Sequence, residues 1–245
     1  MIAHEPAFGR GLLPVSAVAL DLDGTLLDTV ADLALAVNAL LADWGERTVP
    51  LAQVRTFVGK GMGNLVRRTL AASRGIAPED VGEREADAAL AGYQAHYSVV
   101  IGRETRIYEG VREGLARLSA MGLPLAVVTN KSSRFVRPHL AQADMERYFS
   151  LVLGADDLPT KKPAPGPLLH VAKTFHVPPA RLLMVGDSVN DAQAARAAGC
   201  PVFIVPYGYN EGEPVQSLDA DGIVPSLAAV ADRIRPLPPT QCAST

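Results

Sequence analysis

The chain has 245 residues, 48% of them hydrophobic, enough for a sizeable core in one domain with an insertion or in two small domains. Lysine and arginine number 23 against 26 acidic residues, a formal charge of −3, which speaks against a nucleic-acid or anionic-membrane partner. Its two cysteines, Cys200 and Cys242, stand far apart with no CxxC, so a disulfide framework or structural zinc is not expected and a reducing, cytoplasmic compartment is.

The N-terminal stretch MIAHEPAFGRGLLP has no long apolar run, and the apolar segment Val15–Leu22 is broken by Asp21, so neither a signal peptide nor a membrane span is expected. Val15–Leu20 lacks polar alternation and reads as a strand buried on both faces of a parallel sheet. Residues 28–106 then break any strand rhythm and read as helices over Asp32–Trp44, Leu51–Phe57, Gly63–Ser73 and Pro78–Val99, a helical cap inserted after the first strand. The acidic run Glu79–Asp87 reads as a solvated helix face. Further apolar strands follow at Leu123–Val128, Leu151–Leu153, Leu182–Val185 and Val202–Val205. They alternate with helices at Gly110–Met121, Ser132–Ala143, Pro165–Phe175 and Asn190–Ala198. The expectation is an α/β core from residues 1–27 and 107–235, a Rossmann-like parallel sheet with helices on both faces, and a disordered Pro-rich tail over 236–245. Ligands of such sheets bind beyond the carboxyl ends of the strands, where Asp21, Thr129 and Asp187 fall.

Four motifs sit at or near those ends. In Asp21-Leu22-Asp23-Gly24-Thr25, acids at i and i+2 point to one side if strand geometry persists, and burying the pair calls for a compensating cation. A hard divalent ion with oxygen ligands, magnesium above all, suits that role, and Gly24 permits the turn. In Gly186-Asp187-Ser188-Val189-Asn190-Asp191, Asp187 can complete the cation site and Asp191 support it from behind; helix capping by Ser188 or Asn190 explains the same residues and can coexist with it. Val127-Val128-Thr129-Asn130-Lys131 places a hydroxyl at a strand end beside a helix start, a donor for a phosphoryl oxygen or simply a cap. Lys161-Lys162-Pro163 reads alone as solvated surface, and beside a cation site as charge neutralisation. HExxH, GxSxG and Walker sequences are absent, and Gly59–Gly63 departs from a dinucleotide loop and follows no strand. The five histidines show no metal-ligand spacing.

These four motifs, in this order and across about Val15 to Ile234, resemble the haloacid dehalogenase superfamily of phosphohydrolases. The resemblance implies a magnesium-dependent phosphomonoester hydrolase acting through an aspartyl-phosphate. It implies Asp21 as nucleophile and metal ligand, and Asp23 as acid/base whose carbonyl meets the metal. Thr129 and Asn130 would hold the phosphoryl group, Lys162 would steady Asp21, Asp187 would ligate the metal and Asp191 would support it. The segments 57–70 (FVGKGMGNLVRRTL), Gly154–Leu169, 194–201 (AARAAGCP) and 206–214 (PYGYNEGEP) are similar to bacterial phosphoglycolate phosphatases, implying 2-phosphoglycolate as substrate. Many members of that family carry Asn where Lys60 stands. A cation there would suit a carboxylate, and Lys60 with the Gly61 backbone is the expected substrate contact of the cap, a solvated lysine being the alternative. Phosphatases for sugar phosphates, an amino-sugar 6-phosphate or pyrophosphate, and a phosphomutase, share the four motifs. A scaffold protein has no need of Asp21, Asp23, Lys162 and Asp187.

Overall fold

A computed structural model describes residues 11–238. In chain order it contains β1 (Leu13–Val15), β2 (Ala17–Leu20), β3 (Leu27–Asp28), α1 (Val30–Asp43), α2 (Leu51–Arg55), α3 (Met62–Arg74), α4 (Glu83–Val100) and β4 (Arg106–Ile107). There follow α5 (Val111–Ala120), β5 (Leu125–Val128), α6 (Ser133–Gln142), β6 (Leu151–Leu153), α7 (Gly166–Thr174), β7 (Leu182–Gly186) and α8 (Val189–Ala198). The chain then forms β8 (Val202–Ile204), β9 (Gly222–Ile223), α9 (Leu227–Ala231) and β10 (Ile234–Pro236).

The central sheet is parallel, in the order β6-β5-β2-β7-β8-β9. Its inner strands β5, β2, β7 and β8 are buried on both faces and divide their side chains by period two, while the edge strands β6 and β9 are partly exposed. Val18, Leu20, Val127, Leu183 and Val185 face a core shared with Val111 and Leu115 of α5, Val136 of α6 and Leu227 of α9. Ala17, Ala19, Ala126, Leu182 and Met184 face the opposite core, with Leu168 of α7 and Ala195 of α8. Because β2 pairs with β5 on one side and β7 on the other, the chain leaves the sheet centre in both directions, and the carboxyl ends of these three strands surround one crevice.

The single strand expected over Val15–Leu20 is two. Pro14 has no N–H to give a central ladder, and Leu13–Val15 pairs instead with Ile234–Pro236 in a two-stranded ribbon. Ser16 marks the break, its N–H donating to Arg181 O at 2.8 Å. Pro236 therefore belongs to a strand, while residues 239–245 of the expected disordered tail, Cys242 among them, lie outside the described residues. Cys200 is a buried free thiol. The helix expected over Pro78–Val99 is a 3-10 turn at Pro78–Asp80 followed by α4, because Gly82 is extended. Acidic residues at the start of α4 lie at the positive end of its dipole. Glu85 is not merely solvated, since its carboxylate accepts from Arg74 at 2.7 Å.

Helices α1–α4 pack around Val37, Leu40, Leu70, Tyr93 and Tyr97, a cluster into which Phe135 of α6 and Tyr209 project. The chain enters and leaves this layer side by side, with Leu27 opposite Ile107 and Asp28 opposite Arg106. Asp32, in the first turn of α1, accepts from Gly102 N at 2.8 Å, Glu104 N at 2.8 Å and Thr105 Oγ1 at 2.6 Å, which ties the return crossing to the outgoing one. Among the described residues no helix is long and apolar enough to cross a membrane.

Candidate active site

The sheet itself places the carboxylates. Asp21 is the first residue after β2, and its N–H continues the ladder to Val185 O at 3.0 Å. The chain must then turn at once, and Gly24 does so at φ 96°, a region that disfavours side chains. A Cβ on Gly24 would also lie 2.3 Å from Asp187 Oδ2, so the glycine serves both the turn and the close approach of the fourth motif. Asp187, directly after β7, is held through both oxygens. Thr25 Oγ1 donates to Oδ1 at 2.9 Å and Tyr209 N donates to Oδ2 at 2.7 Å.

Asp191 has a different setting. Its Oδ1 accepts from Lys162 Nζ at 2.6 Å. Its Oδ2 accepts from Ser188 N at 3.0 Å, Ser188 Oγ at 2.8 Å and Asp187 N at 3.2 Å, forming with Ser188 a capping box that starts α8. Capping and support of the site thus fall on the same residues. Lys162, buried in its loop, bridges Asp191 and Asp21, with Nζ 2.9 Å from Asp21 Oδ1. That contact is an ion pair off the line of a hydrogen bond, and Asp21 Oδ1 has no hydrogen-bond donor among the described residues.

Carboxyl oxygens of Asp21, Asp187 and Asp191 lie within 4.8 Å of one another, and all three residues are buried. Burial, reinforced by the Asp191 charge against the opposing pull of Lys162, pushes the Asp21 carboxyl up to about 6. Burial, with Asp21 and Asp191 as like-charged neighbours, holds Asp187 well above the ordinary carboxylate range. Burial alone would lower the Lys162 ammonium, but Asp191 and Asp21 outweigh it and hold Lys162 above the usual lysine value. Two buried carboxylates that resist ionisation, one with an oxygen that accepts no hydrogen bond, fit a hard cation with oxygen ligands.

This arrangement fixes a sign for pH. The folded state retains a proton on Asp21 up to about pH 6, whereas the unfolded chain releases it near 3.8. That contribution to stability is present at low pH and is lost as pH rises through 6. His139 acts oppositely, because burial and then Lys131 lower it to about 4, so its contribution is lost as pH falls. A difference between magnesium-loaded and chelated protein cancels His139 and isolates the carboxylates. Magnesium should therefore raise Tm more at pH 7.5 than at pH 5, read by differential scanning fluorimetry; an equal rise at both pH values contradicts the assignment.

Asp23 stands apart from the other acids. Both its oxygens lie 3.1 Å from Lys131 Nζ, which also donates to Tyr97 Oη at 2.6 Å. Sequence reasoning had no signal for Tyr97, whose position under Asp23 depends on how α4 packs over the sheet, and it quoted Lys131 only as part of a motif. Thr25 and Tyr209 were likewise visible within motifs but not as supports of Asp187.

Of the expected phosphoryl-binding pair, Thr129 and Asn130 both line the cavity. The Asn130 amide is otherwise engaged, donating to Gly59 O at 3.0 Å and Lys162 O at 2.9 Å, so this side chain fastens the cap loop and the lysine loop together. Lys60 is not among the cavity-lining residues. Its ammonium is 2.8 Å from Glu211 Oε1, and Glu211 also accepts from Arg68 at 3.0 Å. The expectation for Lys60 as a substrate contact therefore gives way to a surface ion pair between helical layer and core, because an acid of the 206–214 segment reaches it first. Gly61, by contrast, does line the cavity.

The cavity measures about 40 Å³ and is bounded by Asp21, Asp23, Thr129, Lys131 and Lys162 from the core, and by Leu33, Val58, Gly59, Gly61, Met62, Leu65 and Tyr97 from the helical layer.

Comparison with known proteins places this geometry in context. Residues 18–205 match the family model described as haloacid dehalogenase-like hydrolase. The chain is 48% identical over 219 residues to a phosphoglycolate phosphatase of Thiobacillus denitrificans, covering 89% of this chain and 95% of that protein. It is 49% identical over 215 residues to one of Nitrosospira multiformis, covering 88% and 93%. Among solved structures, a predicted phosphoglycolate phosphatase from Haemophilus somnus superposes with a TM-score of 0.83 at 33% identity, covering 89% of this chain and 97% of that one.

Proposed function

This chain belongs to the haloacid dehalogenase-like hydrolase family, and on that footing we propose that it hydrolyses 2-phosphoglycolate to glycolate and phosphate through an aspartyl-phosphate on Asp21. The observation that carries the proposal is the convergence of Asp21, Asp23, Thr129, Lys162 and Asp187 on one crevice at the carboxyl ends of three adjacent parallel strands. The phosphatases of Thiobacillus denitrificans and Nitrosospira multiformis support the choice of substrate.

Asp21, Asp187 and the Asp23 carbonyl are the groups that would hold magnesium, with Asp191 orienting the loop behind them. When bound, the ion supplies positive charge against the phosphoryl oxygens and draws the buried carboxylates into their ionised forms. Asp21 attacks phosphorus in line, the bond to the bridging oxygen breaks, and Asp23 gives that oxygen its proton. Splitting one difficult displacement into two gives an enzyme-bound acyl phosphate. Asp23 then takes a proton from water as the water attacks the aspartyl-phosphate, and phosphate leaves. Lys162 neutralises charge on Asp21 and the transferring group, and Thr129 donates to a phosphoryl oxygen.

Residues 28–106 act as a cap that excludes water and sets the size of the substrate. Leu33, Val58, Met62 and Leu65 of the cap line the cavity with apolar side chains that offer no hydrogen-bond partners to the hydroxyls of a hexose phosphate. The test is phosphate release from a panel of phosphomonoesters with Mg2+ and with EDTA. The expected result is a higher kcat/KM for 2-phosphoglycolate than for ethyl phosphate or glucose 6-phosphate, and no turnover in chelator. Preference for a sugar phosphate would overturn the substrate, activity in EDTA the metal, and isomerisation without phosphate release the hydrolysis itself.

A further inference from the structure

We infer that Lys131 and Tyr97 together form the receptor for the substrate's carboxylate, and so set the enzyme's preference for a phosphorylated acid. The inference rests on the phosphoglycolate reading and names the residues that would execute it.

Asp23 must touch the bridging oxygen to protonate it, and in phosphoglycolate the carboxylate is separated from that oxygen by one methylene. Whatever binds the carboxylate therefore sits beside Asp23 on the side away from phosphorus. Lys131 Nζ is 3.1 Å from both Asp23 oxygens and lines the cavity.

Of the cations near the cavity, Lys162 is engaged by Asp21 and Asp191, Lys60 and Arg68 by Glu211, and Lys161 donates to the Lys60 carbonyl from outside the cavity lining. Arg55 donates to the Tyr207 and Gly208 carbonyls and lies over the Tyr209 ring. Lys131 has Asp23 as its acidic partner, donating to both of its oxygens at 3.1 Å, and once Asp23 carries the proton it delivers to the leaving group that partner is neutral and the ammonium charge is left to face an incoming carboxylate. Its remaining N–H is directed to Tyr97.

Tyr97 Oη accepts from Lys131, so its own hydrogen needs a separate acceptor, and none is present among the described residues. Tyr97 is fully buried, its ring stacks on Tyr93 and meets Phe135 edge-on, and Lys131 Nζ lies 4.8 Å from its centroid. A rigid hydroxyl and a buried ammonium that share one cavity wall make a two-donor fork for a carboxylate. Tyr97 belongs to α4 and Lys131 follows β5, so the fork exists only with the helical layer seated on the core. A site built to pair a charged group rejects analogues that lack it more strongly than one that senses size.

The experiment is kcat/KM for 2-phosphoglycolate and for ethyl phosphate in the wild type, Lys131→Gln, Tyr97→Phe and Lys161→Ala. Lys131→Gln keeps a donor but removes the charge, and should cut the ratio of the two values by about 100-fold, the scale of losing a buried charged partner. Tyr97→Phe keeps the ring and its stacking, and should cut the ratio by about 10-fold, mainly through KM for phosphoglycolate, as for one hydrogen bond to a charged group. Equal losses for both substrates in both variants would overturn the inference, leaving Lys131 as a support for Asp23 alone. Collapse of the ratio in Lys161→Ala but not in Lys131→Gln would also overturn it, moving the receptor to the rim, where Lys161 Nζ reaches the Lys60 carbonyl at 3.3 Å. A wild type that does not favour phosphoglycolate would remove the substrate reading itself, a failure visible before any variant is measured. Should Lys131→Gln not fold, Tyr97→Phe still decides through its ratio.

Discussion

Asp21→Asn abolishes phosphate release while leaving the protein folded. The amide keeps the shape of the side chain and its place after β2 but cannot attack phosphorus, so the expected loss is about 10⁵-fold or more, the scale on which removal of a nucleophile acts. Stability should not fall with activity. Burial and the Asp191 charge already push the Asp21 carboxyl up to about 6, so at neutral pH an ionised Asp21 is a burden on the chelated fold. Asn removes that burden, and the chelated variant should melt at or above the wild-type temperature at pH 7.5. Phosphate release with Mg2+ and a melting curve with EDTA check the two halves. Near-normal turnover would rule out covalent catalysis, and a large drop in Tm would mean that Asp21 is held for structure.

Asp23→Asn should cost about 10²–10⁴ in kcat/KM for 2-phosphoglycolate, the range typical of a lost general acid or base. Its backbone carbonyl survives the substitution, so magnesium affinity should change little. The loss should depend on the leaving group. Glycolate departs as a poor alkoxide that needs a proton, whereas p-nitrophenolate does not. The formation step with p-nitrophenyl phosphate should therefore remain fast, and hydrolysis of the intermediate should become limiting because its water has lost a base. An equal loss for both substrates in their first steps would assign Asp23 to metal binding or positioning.

The sheet was legible because its inner strands, buried on both faces, read as short apolar runs, and because the carboxylates follow those runs directly. Leu182–Gly186 followed by Asp187 is the plainest instance. The pieces that could not be read depend on partners distant in sequence. Leu13–Val15 is a strand only because Ile234–Pro236 lies beside it, and the two-residue pair β3–β4 is too short to carry periodicity. The same division holds in the site. Asp21, Asp23, Asp187 and Asp191 announce themselves by spacing. Lys60 does not, since a lysine near glycines looks the same whether it meets a ligand or, as here, Glu211 from a loop about 150 residues later. Tyr97 was hidden for the converse reason. A tyrosine on an amphipathic helix reads as core, which it is, and only the packing of α4 over Asp23 shows that its hydroxyl ends in the cavity.

The central claim is that a phosphoryl group passes through Asp21, and the most direct measurement traps it there. Asp23→Asn is mixed with p-nitrophenyl phosphate and Mg2+, quenched in acid within the first turnover, and digested for mass spectrometry. The account predicts a burst of nitrophenol matching the enzyme concentration, with the phosphoryl adduct on the peptide that contains Asp21. Phosphate released in step with nitrophenol, or an adduct on any other residue, would contradict it.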